Sequence, residues 1–343
     1  MTENQRSLVE RARRIAEEVL YPDAAAVDRT GQVPAGHWEV LAEAGLYGAS
    51  TAGLELPDIV RIIEILSGSC LSTAFVWLQH HGAVLSLSGS ANARLRETYL
   101  TELTAGRKRA GAAFAGAVSQ PGKLWAERVE GGYRLTGDAP FVSGWGIIDV
   151  VQVASRATEK TSGDTVVSGL IDAASAESLT AVPTELVAGQ GTSTVRLRFD
   201  DHFLPDDRVT GAARYEDFLA FQHIGSRLNG AVTCGVAERA IRVLEQISKP
   251  QASPLWEQLD AARSELDRSL TDPAVLQSAR ARASELALRS AAALVAATGA
   301  PALLADQPAQ RLLREATFGL VAASRPEMRS ALVTAFTGGG RAG

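Results

Sequence analysis

The sequence predicts an α+β chain in three parts: helices first, then short strands, then helices again. Three observations carry this. From Ser7 to about Arg109 apolar residues recur at spacings of three and four; from Ala110 to about Gly211 they alternate in short runs between glycine turns; beyond Gly211 the helical spacing returns and holds to the end. The parts are taken as residues 1–109, 110–211 and 212–343.

In the first part "LVERARRIAEEVL", "HWEVLAEAGL" and "IVRIIEILSGSCLSTAFVWLQHHGAVLSL" read as helices, interrupted by "TAGLELPD". In the middle part "GAAFAGAV", "DVVQVASRA", "TVVSGLID" and "STVRLRFDDHFLP" read as strands. "AERVEGGYRLTG" reads as a hairpin: Gly131 and Gly132 supply the positive φ of a two-residue turn, and Val129, Tyr133 and Leu135 alternate around it. The stretch "GDAPFVSGWGIIDVVQVA", Gly137 to Ala154, gathers an aromatic, a small hydroxyl and two glycines just before a buried strand. In the last part, breaks at "SKPQASP" and "TGAPALLADQP" divide the pattern into about four helices.

Composition narrows the function. With 343 residues, 46% of them apolar, the chain is long enough for a large packed core. A net charge of −5, with no block of like charges, leaves no electrostatic footprint for nucleic acid. No apolar run approaches the roughly 18 residues of a membrane span, and the N-terminus does not read as a secretory leader, so a soluble cytoplasmic chain is expected. Cys70 and Cys234 stand far apart in apolar helical patterns and read as buried thiols. Of five histidines only His80 and His81 are neighbours, and adjacent helical residues point about 100° apart, so no metal site is expected. Phosphate-loop and nucleophile-elbow spacings do not occur.

Four stretches in order resemble the acyl-CoA dehydrogenase superfamily. "GGYRLTGDAPFVSG" is similar to its hairpin and flavin-contacting strand, "STVRLRFDDHFLPDDRVTG" to its barrel exit, "SRLNGAVTCGVAERAI" to its first bundle helix, and "PAQRLLREATFGLV" to its Arg-Asp-Ala helix, with Glu315 where Asp is usual. The resemblance covers nearly the whole chain and implies an N-terminal helical domain, a central β-barrel and a C-terminal four-helix bundle. It further implies a flavin between barrel and bundle, FAD by expectation, with FMN or reduced flavin as alternatives. Phe141 would then pack on the ring, the Ser143 hydroxyl would bond a flavin heteroatom, and Val142 and the backbone of Ala113, Phe114 and Ala115 would lie beside them. The same resemblance implies a homodimer or homotetramer.

The departures from the family pattern bear on chemistry. The Thr-Glu-Pro loop is replaced by "AAFAGAV", with Ala115 and Gly116 at Thr and Glu. The Arg…Phe-Gly motif that reaches the adenylate is replaced by "SKPQASPLWEQL", and a Gln…Gly-Gly element keeps Gly299 alone, so positive partners and close backbone for a diphosphate are reduced. Dehydrogenation of an acyl thioester needs a carboxylate for the α-proton. The usual position is Ala323 and the alternative one is Ser226, beside Arg227; Glu327 lies one turn beyond Ala323. Arg227 and Glu327 are therefore the catalytic candidates on an acyl-CoA substrate.

Two other readings stay open. Flavin monooxygenases of this fold take reduced flavin and O2, keep no such Glu and act on aromatic substrates; "FVSG" and "WLQHHGAV" resemble them, which makes His81 a candidate proton-transfer group. A non-catalytic partner of a heteromeric acyl-CoA dehydrogenase, paired with a sister subunit, would show the same eroded motifs.

Overall fold

A computed structural model describes residues 3–157 and 164–338. The N-terminal helices are α1 (Glu3–Ile15, continued by a π turn), α2 (Tyr21–Thr30), α3 (Ala35–Glu43), α4 (Leu56–Ser69), α5 (Leu71–Ser88) and α6 (Ala93–Thr104). Their ends follow local chemistry. Gly31 closes α2 in the left-handed conformation, at φ 69°. The Asn92 side chain caps α6 by accepting from the Leu95 N–H at 3.1 Å. A single extended residue, Cys70, separates α4 from α5.

The strands are β1 (Ala110–Ala113), β2 (Leu124–Val129), β3 (Gly132–Val142), β4 (Val150–Ala157), β5 (Thr165–Asp172), β6 (Leu179–Pro183), β7 (Val195–Pro205) and β8 (Val209–Arg214), with a short helical turn, α7 (Ala115–Val118), after β1. They form one mixed sheet in the order β6-β7-β3-β2-β4-β5-β8, with β1 parallel to β4. The barrel expected here is thus realised as an eight-stranded sheet whose pairing path has two ends. The hairpin turn is displaced by one residue: Val129 pairs Gly132, so Glu130 and Gly131 form it, and only Gly131 has positive φ. Gly132 belongs to the strand, where a Cβ would stand 2.3 Å from the Leu204 carbonyl of β7. Close strand packing, rather than turn geometry, accounts for that glycine.

The C-terminal helices are α8 (Tyr215–Ile247), α9 (Lys249–Arg268), α10 (Pro273–Thr298), α11 (Pro308–Val321) and α12 (Pro326–Phe336). Proline begins the last two, where its missing N–H costs no hydrogen bond. The "SKPQASP" break is one residue long, Ser248, and a second break at Ser269–Thr271 divides α9 from α10.

α4 and α8 are in backbone contact. A Cβ on Gly235 would stand 2.2 Å from the Glu64 carbonyl, and the Ser67 hydroxyl donates to the Val232 carbonyl at 3.1 Å. Beside this crossing Glu64 and Glu238 receive Arg61, Arg242 and Arg263. Burial pushes the Glu238 carboxyl up, but hydrogen bonds from Arg61 and Arg242 outweigh it and hold the group well below the usual range. Gly235→Ala is expected to lower stability by about 1–3 kcal/mol in urea unfolding, through overpacking of backbone on backbone. Gly225→Ala, elsewhere on α8 with only the flexible Gln222 side chain near its Cβ position, should instead raise it by roughly 0.5–1 kcal/mol.

Candidate functional site

The end of β3 is built around one extra residue. Ala139 pairs Leu197 and Val142 pairs Val195, so Pro140 and Phe141 together oppose Arg196. This is a β-bulge, and Phe141 absorbs it in the left-handed region at φ 57°. An aromatic residue in that region is strained, and strain of this kind collects at functional positions. The bulge leaves Phe141 68% exposed while Val142 is buried at 0%.

Ser143 comes next, buried, with its Oγ 2.9 Å from Thr194 Oγ1. Thr194 Oγ1 is 2.8 Å from Thr192 Oγ1, which donates to the Gly189 carbonyl at 2.7 Å. Gly144, at φ 91°, has Ile148 and Val76 of α5 where a Cβ would go, whereas Gly146 opens onto empty space. The β1–α7 segment closes the other side. Ala113 is buried in strand pairing with Val153, and the Ala115 carbonyl is taken by the Ser119 hydroxyl at 2.7 Å. Phe114 bridges the parts: its ring meets Phe218 of α8 edge-on at 6.0 Å and lies over Gly82 of α5. Gly116 fits α7 onto β3, with the Asp138 carbonyl 2.7 Å from where a Cβ would be.

The catalytic candidates stand elsewhere. Arg227 is buried among the helices, its Nε donating to Asp267 at 2.8 Å, and lines a cavity of about 450 Å³ with Arg61, Trp256 and Arg263. This is an ion pair within the helical bundle. Ser226 accepts from Gln277 at 3.1 Å. Glu327 is exposed in the first turn of α12, where its neighbour Met328 is the buried residue. A carboxylate there is stabilised by the helix dipole and by water. Ala323 occupies the loop between α11 and α12 at φ 47°. Arg280 anchors that loop by donating to the Ala322 and Ala323 carbonyls at 3.2 and 3.0 Å. Burial lowers the Arg280 guanidinium to about 10, helped by Arg325, and it stays charged at neutral pH.

His81 is buried and turned into the N-terminal helices: its Nδ1 is 3.1 Å from the Ser50 hydroxyl and its ring packs on Trp77. Burial drives its basicity far down, with His80 adding to the effect, so the ring is neutral at neutral pH. His80 Nδ1 accepts from the Ala110 N–H at 3.0 Å, which ties α5 to the first strand. Burial pushes His80 down to about 3. The two cysteines are free and buried, and burial pushes the Cys234 thiol up to about 12.

Residue-level reading missed the partners of this site on β7 and the loop before it. Thr192 and Thr194 hold Ser143. Arg196, opposite the bulge, and Arg198 both approach the Asp138 carboxylate, at 3.7 and 3.9 Å, and both are about half exposed. Two guanidiniums on one carboxylate leave positive charge and free donors next to Phe141 in register.

The architecture is that of the acyl-CoA dehydrogenase fold. Butyryl-CoA dehydrogenase from Megasphaera elsdenii superposes with a TM-score of 0.84, over 98% of this chain and 99% of that one at 18% identity. PigA, in a structure described with FAD and proline, gives 0.79 over 98% of each chain at 20% identity. Residues 2–107 match the family model for the acyl-CoA dehydrogenase N-terminal domain. Across 92% of its length the chain is 25% identical to 3-sulfinopropanoyl-CoA desulfinase of Paraburkholderia xenovorans, covering 91% of it. The N-terminal family model, the curated relatives and the shared fold all support the acyl-CoA dehydrogenase superfamily for this chain.

The residues at the end of β3 fit a flavin ring: a large aromatic is held outward by a strained backbone, with a hydroxyl two residues on and open space at Gly146. Arg196 and Arg198 are suited to a phosphate.

Buried neutral imidazoles make stability pH-dependent. His80 and His81 have folded values below their unfolded one, so their contribution is full above about pH 6.5 and is lost as pH falls. Each is expected to steepen the fall towards about 1.4 kcal/mol per pH unit below that point. Urea midpoints between pH 7.5 and 5.5 should show it, and His80→Asn should make the slope shallower; an unchanged slope in that variant would refute the assignment.

Proposed function

We propose that the protein is a flavin-dependent oxidoreductase acting on an acyl thioester, with FAD as its flavin. One observation carries this reading: Phe141 is pushed out of the sheet at the cost of a left-handed backbone, with Val142 buried behind it. Flavin, when bound, supplies a two-electron acceptor for hydride. Phe141 covers a ring face and excludes water from it. Ser143 offers its hydroxyl at the ring edge, and Arg196 and Arg198 offer charge for the phosphate arm. Phe114, between Gly82 and Phe218, narrows the space beside α5 and α8. The P. xenovorans relative is named for action on an acyl-CoA, which supports the thioester class.

A second reading, use of reduced flavin with O2, is favoured by the side chains at the positions where a dehydrogenase base is expected. Ala323 has no acid, Ser226 is bonded to Gln277, and Glu327 is exposed. The assembly that goes with either reading is a homodimer or homotetramer in the cytoplasm; a heteromer with a sister chain goes with a non-catalytic role.

The purified chain is expected to turn yellow with FAD, and Phe141→Ala to weaken binding about tenfold or more, measured by flavin fluorescence. Anaerobic addition of a series of acyl-CoAs bleaches the flavin under the first reading; turnover of aromatic compounds with reduced flavin and O2, without such bleaching, selects the second. No flavin binding defeats both. Ala323→Glu, which returns a carboxylate to an anchored loop, is expected to accelerate bleaching at least tenfold, whereas Glu327→Gln should change it less than twofold.

A further inference from the structure

The hydroxyls behind Ser143 form a chain whose proton direction is fixed at its far end. The Gly189 carbonyl can only accept, so the Thr192 hydroxyl, 2.7 Å away, must donate to it. A hydroxyl has one proton. Thr192 therefore accepts from Thr194 at 2.8 Å, Thr194 has no proton left for Ser143, and Ser143 donates to Thr194 at 2.9 Å. All three residues are buried, so water does not compete to reorder the chain, and successive hydrogen bonds strengthen one another. Ser143 faces any ligand as an acceptor only.

We infer that the Ser143–Thr194–Thr192–Gly189 chain makes the protein bind reduced flavin in preference to oxidised flavin. This rests on the proposed flavin site. If the ring is seated with N5 towards Ser143, the oxidised flavin offers that oxygen an acceptor, which an acceptor-only hydroxyl cannot satisfy. In the reduced ring N5 carries a hydrogen and donates, so the same oxygen gains a partner. Thr194 and Thr192 are positioning residues in this scheme; they set the polarity of Ser143.

The test uses the full-length protein with FAD and with FMN, each oxidised and dithionite-reduced under anaerobic conditions, and reads affinity and the midpoint potential of the bound flavin. The reduced form is expected to bind about tenfold tighter, which places the bound potential about 30 mV above that of the free flavin. Thr194→Val removes the acceptor, returns the Ser143 proton and should abolish or reverse the preference. Thr192→Val, which frees the Thr194 proton instead, should move the potential in the same direction and serves if the first variant does not fold. Wild-type protein that binds neither form removes the flavin reading and this inference together. Binding without preference, or a preference that survives both substitutions, overturns the inference and leaves the flavin reading in place.

Discussion

A stretch of strand with one residue more than the stretch it pairs with cannot keep both of its faces in phase, and between Ala139 and Val142 that mismatch is concentrated in Phe141. Ala139 and Val142 both stay buried against Leu197 and Val195, so neither side of the bulge can slip without exposing core. The extra residue has one way out, through a left-handed backbone that turns an aromatic side chain to the surface. That constraint also sets the register of the next two residues: Ser143 falls beside Thr194, and the Gly144 N–H donates to the Thr192 carbonyl at 2.8 Å. The exposed ring, the buried hydroxyl chain and the Arg196 guanidinium are three consequences of a single pairing.

The helical parts supply a rigid frame for this sheet edge. α4 and α8 meet at a distance only glycine permits, and the Glu64 and Glu238 carboxylates are saturated by arginines from three helices. Removing one partner from such a cluster costs more than its formation returned, because the remaining charge stays buried. Arg227 lines the cavity beside this cluster. Its Nε is committed to Asp267, and withdrawing it to serve a substrate would leave that arrangement incomplete. The group most similar in sequence position to a catalytic helper is thus held by the fold itself.

The order of elements was legible because each part has its own period, and neither glycine turns nor proline starts are ambiguous at that scale. Finer features were legible only where the chemistry is local. Phe141 and Ser143 stand together in the sequence, but the residues that define their geometry lie on β7 and the loop before it, some fifty positions away, and single-strand alternation does not say which strands pair. The hairpin turn shifted for the same reason: either glycine could make it, and β7 excludes a side chain from one of them. α5 withheld the direction of His81 because it is apolar nearly all round, so its period marks no outward face. Glu327 and Arg227 were visible as charges, while their surroundings are set by helix packing across long separations.

The loop at Ala323 bears most directly on chemistry. Holding a non-glycine residue at φ 47° and burying Arg280 to anchor two carbonyls both cost free energy. A connection with no task would relax to a cheaper turn. The backbone that elsewhere in the superfamily resemblance would present a carboxylate is therefore kept in a defined shape while its side chain is reduced to a methyl group. Under the proposed flavin reading, a methyl group at Ala323 leaves that loop without the acid that α-proton removal from an acyl thioester needs. The inferred acceptor-only Ser143 points the same way: it would favour a flavin that already holds its electrons, whereas an acid at Ala323 would serve the step that delivers them.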